Sequence, residues 1–156
     1  MAEGSGSSQG GVLCSFCSRR AVLSRRSSGL HLCREHFMQD FERRVAETVE
    51  VGGMIEEGER IAVALSGGKD STALLLSLQG ILDGRNVELV AVTVDEGIAG
   101  YRDDTITAAR QLCSRVGVEQ VIVSFREEFG YDLDEMVGGK RAAPCTYCGV
   151  FRKNAL

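Results

Sequence analysis

Six consecutive residues, Ser66-Gly67-Gly68-Lys69-Asp70-Ser71, combine two hydroxyls, an ammonium, a carboxylate and two adjacent glycines. They follow a short apolar run and precede a helical pattern, which places them where a strand gives way to a helix. Backbone N–H groups at such a junction are unpaired, and the helix dipole favours an anion there. The paired glycines let the backbone approach a ligand, Ser66 and Ser71 can hydrogen-bond phosphate oxygens, and Lys69 adds positive charge. Asp70 repels a phosphate unless a divalent cation lies between them or the carboxylate orders the loop by accepting backbone N–H bonds; both roles stay open. The segment is not a Walker A loop, because Val63 stands where the first glycine belongs and Asp70 follows the lysine.

A second chemistry is carried by sulfur. Cys14-x-x-Cys17 and Cys33-x-x-His36 are separated by fifteen residues, a spacing suited to two knuckles converging on one tetrahedral zinc. His31 rivals His36 for the fourth position, but it lies too near Cys33 to close a knuckle, so His36 is favoured. Four protein ligands leave no position for a substrate, which makes the zinc structural. Residues 14–36 hold few large apolar side chains, so this stretch folds with metal or hardly at all. Arg19, Arg20, Arg25 and Arg26 decorate its loops, either to meet RNA phosphates or as solvated charge. Cys145 and Cys148, after Pro144, have a spacing that suits a metal or a redox disulfide equally. Cys113 falls on the core face of a helix and reads as structural.

These groups need elements to position them. A length of 156 residues allows one ordinary α/β domain and a small accessory module. The apolar run at 61–65 predicts a strand covered on both faces. A helix follows over about 71–82, then a second strand in the β-branched run at 87–94. Tyr101 and Arg102 open a helix whose core face is Ile106, Ala109, Cys113 and Val116, and a third strand runs over 120–125. This alternation predicts an α/β fold with a parallel, doubly wound sheet. Asp95 and Glu96 then sit beyond the carboxyl end of the second strand, where open α/β sheets bind ligands; solvated turn acids are the alternative. Upstream, Phe37, Phe41, Val45 and Val49 recur every fourth residue as on an amphipathic helix, which Gly52 and Gly53 end.

The chain therefore divides into a flexible Gly/Ser leader at 1–11, a zinc module at 12–36, a linker helix at 37–53 and a nucleotide-binding α/β domain at 54–156. No apolar run approaches the roughly 20 residues of a membrane span, and the first ten residues lack the features of a signal peptide, which predicts a cytoplasmic protein with no membrane partner. A net charge of −4 gives no overall pull on nucleic acid. The sign is uneven, with seven arginines against four acids in residues 1–45 and eleven basic against eighteen acidic residues in the rest.

Ser66-Gly67-Gly68-x-Asp70-Ser71 resembles the PP-loop of ATP pyrophosphatases, which cleave ATP between the α- and β-phosphates and leave AMP on the substrate. Val94-Asp95-Glu96-Gly97-Ile98 with Tyr101-Arg102-Asp103, and Pro144-Cys145-Thr146-Tyr147-Cys148-Gly149-Val150, resemble the tRNA 2-thiouridine synthetases of the TtuA/Ncs6 group. The resemblance covers residues 14–156. It implies ATP with Mg2+ as the nucleotide, with its departing pyrophosphate on the loop at 66–71, and Asp95 in the nucleotide pocket. It further implies that Cys145, Cys148 and a third, later cysteine hold a [4Fe-4S] cluster. Asp70, Cys145, Cys148, Arg152 and Lys153 then form the catalytic set, although Arg152 and Lys153 read equally well as surface charges of a helix. Further strands, the third cysteine and a second zinc module are implied beyond Leu156, so the sequence reads as the N-terminal part of a longer protein.

The implied reaction adenylates O2 of a tRNA uridine, the wobble position favoured over the thymine loop, and transfers sulfur to C2. The sulfur donor is sulfide or a thiocarboxylated ubiquitin-like carrier, and a homodimer is compatible with the reading. Two competitors remain: another PP-loop tRNA-modifying ATPase, such as a cytidine thiolase or lysidine-forming ligase, and a non-catalytic zinc- and nucleotide-binding module.

Overall fold

A computed structural model describes residues 11–98, 100, 102–138 and 144–156; the side chains of residues 137 and 144–147 lie outside that description. The chain separates into two compact units between Thr48 and Val49.

In the N-terminal unit, an isolated bridge between Leu13 and Arg20 closes a tight loop in which Cys14 N–H donates to Arg19 O at 2.8 Å. Two short strands follow, β1 (Leu23–Arg25) and β2 (Leu30–Leu32), paired antiparallel with Leu23 opposite Leu32. Helix α1 runs Arg34–Val51, beginning earlier than the 37–53 expected from its apolar period. The cause is local: Cys33 O accepts the Phe37 N–H at 2.8 Å, so the helix starts directly after the third cysteine and carries His36 on its first turn.

The C-terminal unit alternates strand and helix: β3 (Arg60–Ala64), α2 (Lys69–Ile81), β4 (Glu88–Asp95), α3 (Arg102–Val116) and β5 (Glu119–Ser124). Short helices α4 (Phe125–Phe129) and α5 (Leu133–Val137) and then α6 (Pro144–Ala155) complete it. The three strands form one parallel sheet in the order β3-β4-β5, with Ala64 beside Val92 and Asp95 beside Ser124. The α/β parallel sheet expected from the alternation is present. Val90, Ala91, Thr93 and Val94 of the central strand are all buried, the near-continuous burial of a strand covered on both faces.

Two further boundaries shift, and one buried face differs. α2 starts at Lys69 because extended Gly68 is its N-cap, which brings Lys69 and Asp70 into the first turn. β5 stops at Ser124, and Phe125, fully buried, opens α4. On α3 the buried stripe is Ala109, Leu112 and Cys113, with Ile106 and Val116 only half-buried. Tyr101 and Gly139 lie outside the described residues. At the carboxyl end of β4 a cluster of Val94, Phe125, Leu133 and Met136 takes in Ile98, Phe129, Cys148 and Phe151, anchoring α6 to the sheet. The Phe129 ring meets those of Phe125 and Phe151 edge-on, with centroids 5.5 and 4.9 Å apart.

Candidate functional site

The loop between β3 and α2 is held by its own serines. Ser66 N–H donates to Ser71 Oγ at 3.2 Å, the two hydroxyls lie 3.1 Å apart, and Ser71 O–H donates to Gly68 O at 3.1 Å. Ser66 Oγ in turn accepts from Gly68 N–H at 3.4 Å. Each hydroxyl therefore orders the loop while facing solvent. Gly67 has φ +82, and a Cβ there would stand 2.6 Å from Thr105 O, so both its conformation and the close approach of α3 demand glycine. Lys69 and Asp70 are exposed and make no hydrogen bond or ion pair among the described residues. The loop-ordering task left open for Asp70 is thus carried by Ser66 and Ser71. The first-turn amides of α2 have no intrahelical acceptor.

Beside the loop, Asp95 and Glu96 take different roles. Asp95 is half-buried, and its Oδ1 accepts Gly97 N–H at 3.0 Å, shaping the turn after β4. Glu96 is no solvated turn acid: it is 1% exposed. Its carboxylate pairs with Arg102, whose Nε is 2.5 Å from Oε2, and with Arg152 on α6 through Oε1. Burial lowers the Arg152 pKa, but the charge of Glu96 and its hydrogen bond outweigh this and raise it. Arg152 also donates to Cys148 Sγ at 3.1 Å. Ser66, Val94, Glu96, Arg102 and Arg152 line one cavity of about 180 Å³ at the carboxyl ends of β3 and β4. Lys153 is exposed and outside that lining. Residue typing alone missed Arg102 and the depth of Glu96.

Removing Glu96 leaves two cations facing each other. Arg152 can turn to solvent, since about half its side chain is exposed, but Arg102 cannot. Glu96→Ala is therefore expected to destabilise the C-terminal unit by about 3–5 kcal/mol, read as a lowered urea midpoint. An unfolding free energy within about 0.5 kcal/mol of wild type would show that the buried pair contributes nothing.

The second cysteine pair sits on α6, but the Cys145 side chain lies outside the described residues. Cys148 is half-buried against the core cluster. Cys113 is 2% exposed in the core, and burial raises its pKa. Among the described side chains, Cys148 is the one thiolate at this end of the sheet.

The front cluster fits a metal. His36 Nδ1 lies 3.3 Å from Cys14 Sγ, 3.6 Å from Cys17 Sγ and 3.3 Å from Cys33 Sγ, with Cys17 and Cys33 Sγ 3.8 Å apart. All four ligand atoms fall within 4.8 Å of one another. A tetrahedral zinc with Zn–S about 2.3 Å and Zn–N about 2.0–2.1 Å has edges of roughly 3.8 and 3.6 Å. His31 is elsewhere, its Nδ1 2.8 Å from Ser24 Oγ. Burial raises the Cys14 thiol, but hydrogen bonds from the Phe16 and Cys33 backbone and from Cys17 and His36 bring it down to about 6. Hydrogen bonds from Arg19, which also pairs with Glu35, lower Cys17. Arg25 pairs with Asp40, and together with Arg43 it holds that carboxyl down from 3.8 to about 2. Asp40 is therefore charged at any pH where thiolates can hold a metal.

A family model described as the PP-loop domain matches residues 37–137, and one described as the N-terminal LIM domain of the 2-thiouridine synthetase TtuA matches residues 13–38. A protein of Drosophila melanogaster named cytoplasmic tRNA 2-thiolation protein 1 is 40% identical over 149 residues, 93% of this chain and 43% of the relative. Its namesake from Aspergillus niger is 39% identical over 148 residues, 92% of this chain and 43% of the relative. Among solved structures, the U34-tRNA thiolase NcsA from Methanococcus maripaludis, with its [4Fe-4S] cluster, superposes with a TM-score of 0.80 at 35% identity. That match covers 92% of this chain and 47% of the thiolase. The chain thus spans less than half the length of these three relatives.

Proposed function

The chain belongs to the PP-loop domain family, and from that premise we propose that it binds ATP and activates a tRNA uridine for thiolation, the wobble position 34 being the target. The single observation that carries the reading is the loop at 66–71, where glycines, exposed serine hydroxyls and unpaired amides converge at the carboxyl end of β3.

In this reading the β- and γ-phosphates rest on the first-turn amides of α2, with Lys69 adding charge and the Ser66 and Ser71 hydroxyls turning from each other toward phosphate oxygens. Asp70, exposed beside them, would hold the Mg2+ that accompanies ATP and neutralises its phosphates. Asp95 closes the nucleotide pocket after β4. Uridine O2 attacks the α-phosphorus, the bond to the bridging oxygen breaks, and pyrophosphate leaves. The carbonyl oxygen thereby becomes part of AMP, a good leaving group. A sulfur nucleophile then adds at C2 and expels AMP, giving 2-thiouridine. Arg152, beside Cys148, is the cation placed nearest that second step; Lys153 is a candidate from its position alone.

Cys145 and Cys148 would supply two of the thiolates of a [4Fe-4S] cluster, and such a cluster needs a third ligand that the described residues do not provide. Cys14, Cys17, Cys33 and His36 hold a structural zinc, closed to substrate by its four protein ligands. The sulfur donor, sulfide or a thiocarboxylated carrier protein, approaches from outside these residues, and a homodimer is compatible with this arrangement.

The test uses ATP labelled at the α-phosphate, Mg2+ and tRNA carrying U34. Label is expected to pass to tRNA or appear as AMP, with release of pyrophosphate and dependence on the uridine. Release of ADP, or AMP formation indifferent to the uridine, would contradict the reading. Binding of ATP without cleavage would favour the non-catalytic module for this chain.

A further inference from the structure

We propose that Arg102 is a positioning residue for the nucleotide site, fixing the 66–71 loop against the end of β4 through a guanidinium that buried Glu96 holds in place. The inference rests on the reading of that loop as the seat of the pyrophosphate.

Arg102 stands on the first turn of α3, where the helix dipole disfavours a cation, and yet it is only 6% exposed. Both features work against it unless its contacts compensate. Its guanidinium uses three edges. One terminal nitrogen donates to Thr105 Oγ1 at 3.3 Å and reaches Ser66 O at 3.5 Å. The other donates to Val94 O, at the carboxyl end of the central strand. Nε faces Glu96 Oε2. A single planar group therefore ties the residue that opens the loop to the strand beside it and to the helix above it. Lysine has one point of charge and no fork, so it cannot span these three directions.

The same helix turn touches the loop a second time. Thr105 Oγ1 donates to Arg102 O at 2.9 Å, and Thr105 O is the atom a Gly67 side chain would strike. Arg102 and Thr105 thus form a platform under Gly67, so the amides of the loop point where α3 allows. Among the side chains that line the cavity beside the loop, Glu96 balances one of the two arginines it touches, so those side chains carry an excess of one positive charge. An anion such as pyrophosphate is favoured there, while an uncharged nucleoside is indifferent to it.

A purely structural ion pair can be replaced by neutral partners of similar shape, and that separates the two roles. The experiment measures binding of pyrophosphate, Mg2+-ATP and AMP to the intact chain by calorimetry, with thermal unfolding recorded on each variant. Glu96→Gln/Arg102→Gln removes both charges at once, and Arg102→Lys keeps the charge but loses the fork. Both are expected to lose roughly tenfold or more in pyrophosphate and ATP affinity while AMP, which does not reach the loop, stays within about twofold. Thr105→Val, which removes one anchor without touching the ion pair, is expected to show a smaller loss of the same pattern. In ligand-free Arg102→Lys the Gly67 and Gly68 amide resonances should move. Folded variants with wild-type pyrophosphate affinity, or an equal loss for pyrophosphate and AMP, would overturn the inference. A wild-type chain that binds ATP but not pyrophosphate would instead overturn the reading of the loop itself.

Discussion

Removing the metal from Cys14, Cys17, Cys33 and His36 is expected to unfold the N-terminal unit while the C-terminal unit keeps its structure. The buried hydrophobic residues described between 11 and 48 are Cys14, Leu32 and Cys33, and two of these three are ligands. Val12, Leu13, Phe16 and Val22 are all more than half exposed. A core of that size is too small to hold the described residues 11–48 in one fold without a further tie. The free energy of binding a structural zinc is folding free energy in a unit with so little core, so the metal decides whether the unit folds. Treatment with a strong chelator, or Cys33→Ser, should collapse the amide dispersion of β1 and β2 and leave that of β3, β4 and β5 unchanged. Retained dispersion in β1 and β2 without metal would show that hairpin packing alone holds this unit.

Ser66→Ala/Asp70→Ala is expected to abolish measurable ATP binding without unfolding the chain. Both residues are exposed, and neither contributes to the core. The loop loses the hydroxyl that accepts the Gly68 N–H, a cost of about 1 kcal/mol in stability. Binding loses much more, because a hydrogen bond to a charged phosphate contributes about 1.5–3 kcal/mol and the carboxylate takes its cation with it. The combined effect is on the order of 10²–10³ in affinity, read by calorimetry with Mg2+-ATP. An unchanged affinity in the folded variant would remove the loop from nucleotide binding.

Local chemistry was readable from the chain, and long-range burial was not. The loop at 66–71 announces itself because its residue types are contiguous and flanked by a strand and a helix. The front cluster does so because ligand spacing reports knuckle geometry directly. Glu96 is the counterexample. Beside Asp95 it has the look of any acid in a turn, and its partners lie six and fifty-six residues away, on α3 and α6. No periodicity links them. One faint signal existed, a lone arginine at the dipole-positive end of a helix, where cations are disfavoured. The capping box of Asp132 and Glu135 that starts α5 went unread, although Asp-x-x-Glu is a capping signature. The shift of α1 to Arg34 was hidden because its first turn is set by Cys33 and the metal site rather than by apolar period.

The most direct measurement follows the amide resonances of the chain as Mg2+-ATP, and separately pyrophosphate, is titrated in. Gly67, Gly68 and Lys69 are expected to shift together and saturate with both ligands. Shifts confined to the opposite end of the sheet, around Asp83, Glu88 and Glu119, with the loop glycines unmoved, would contradict the placement of the nucleotide.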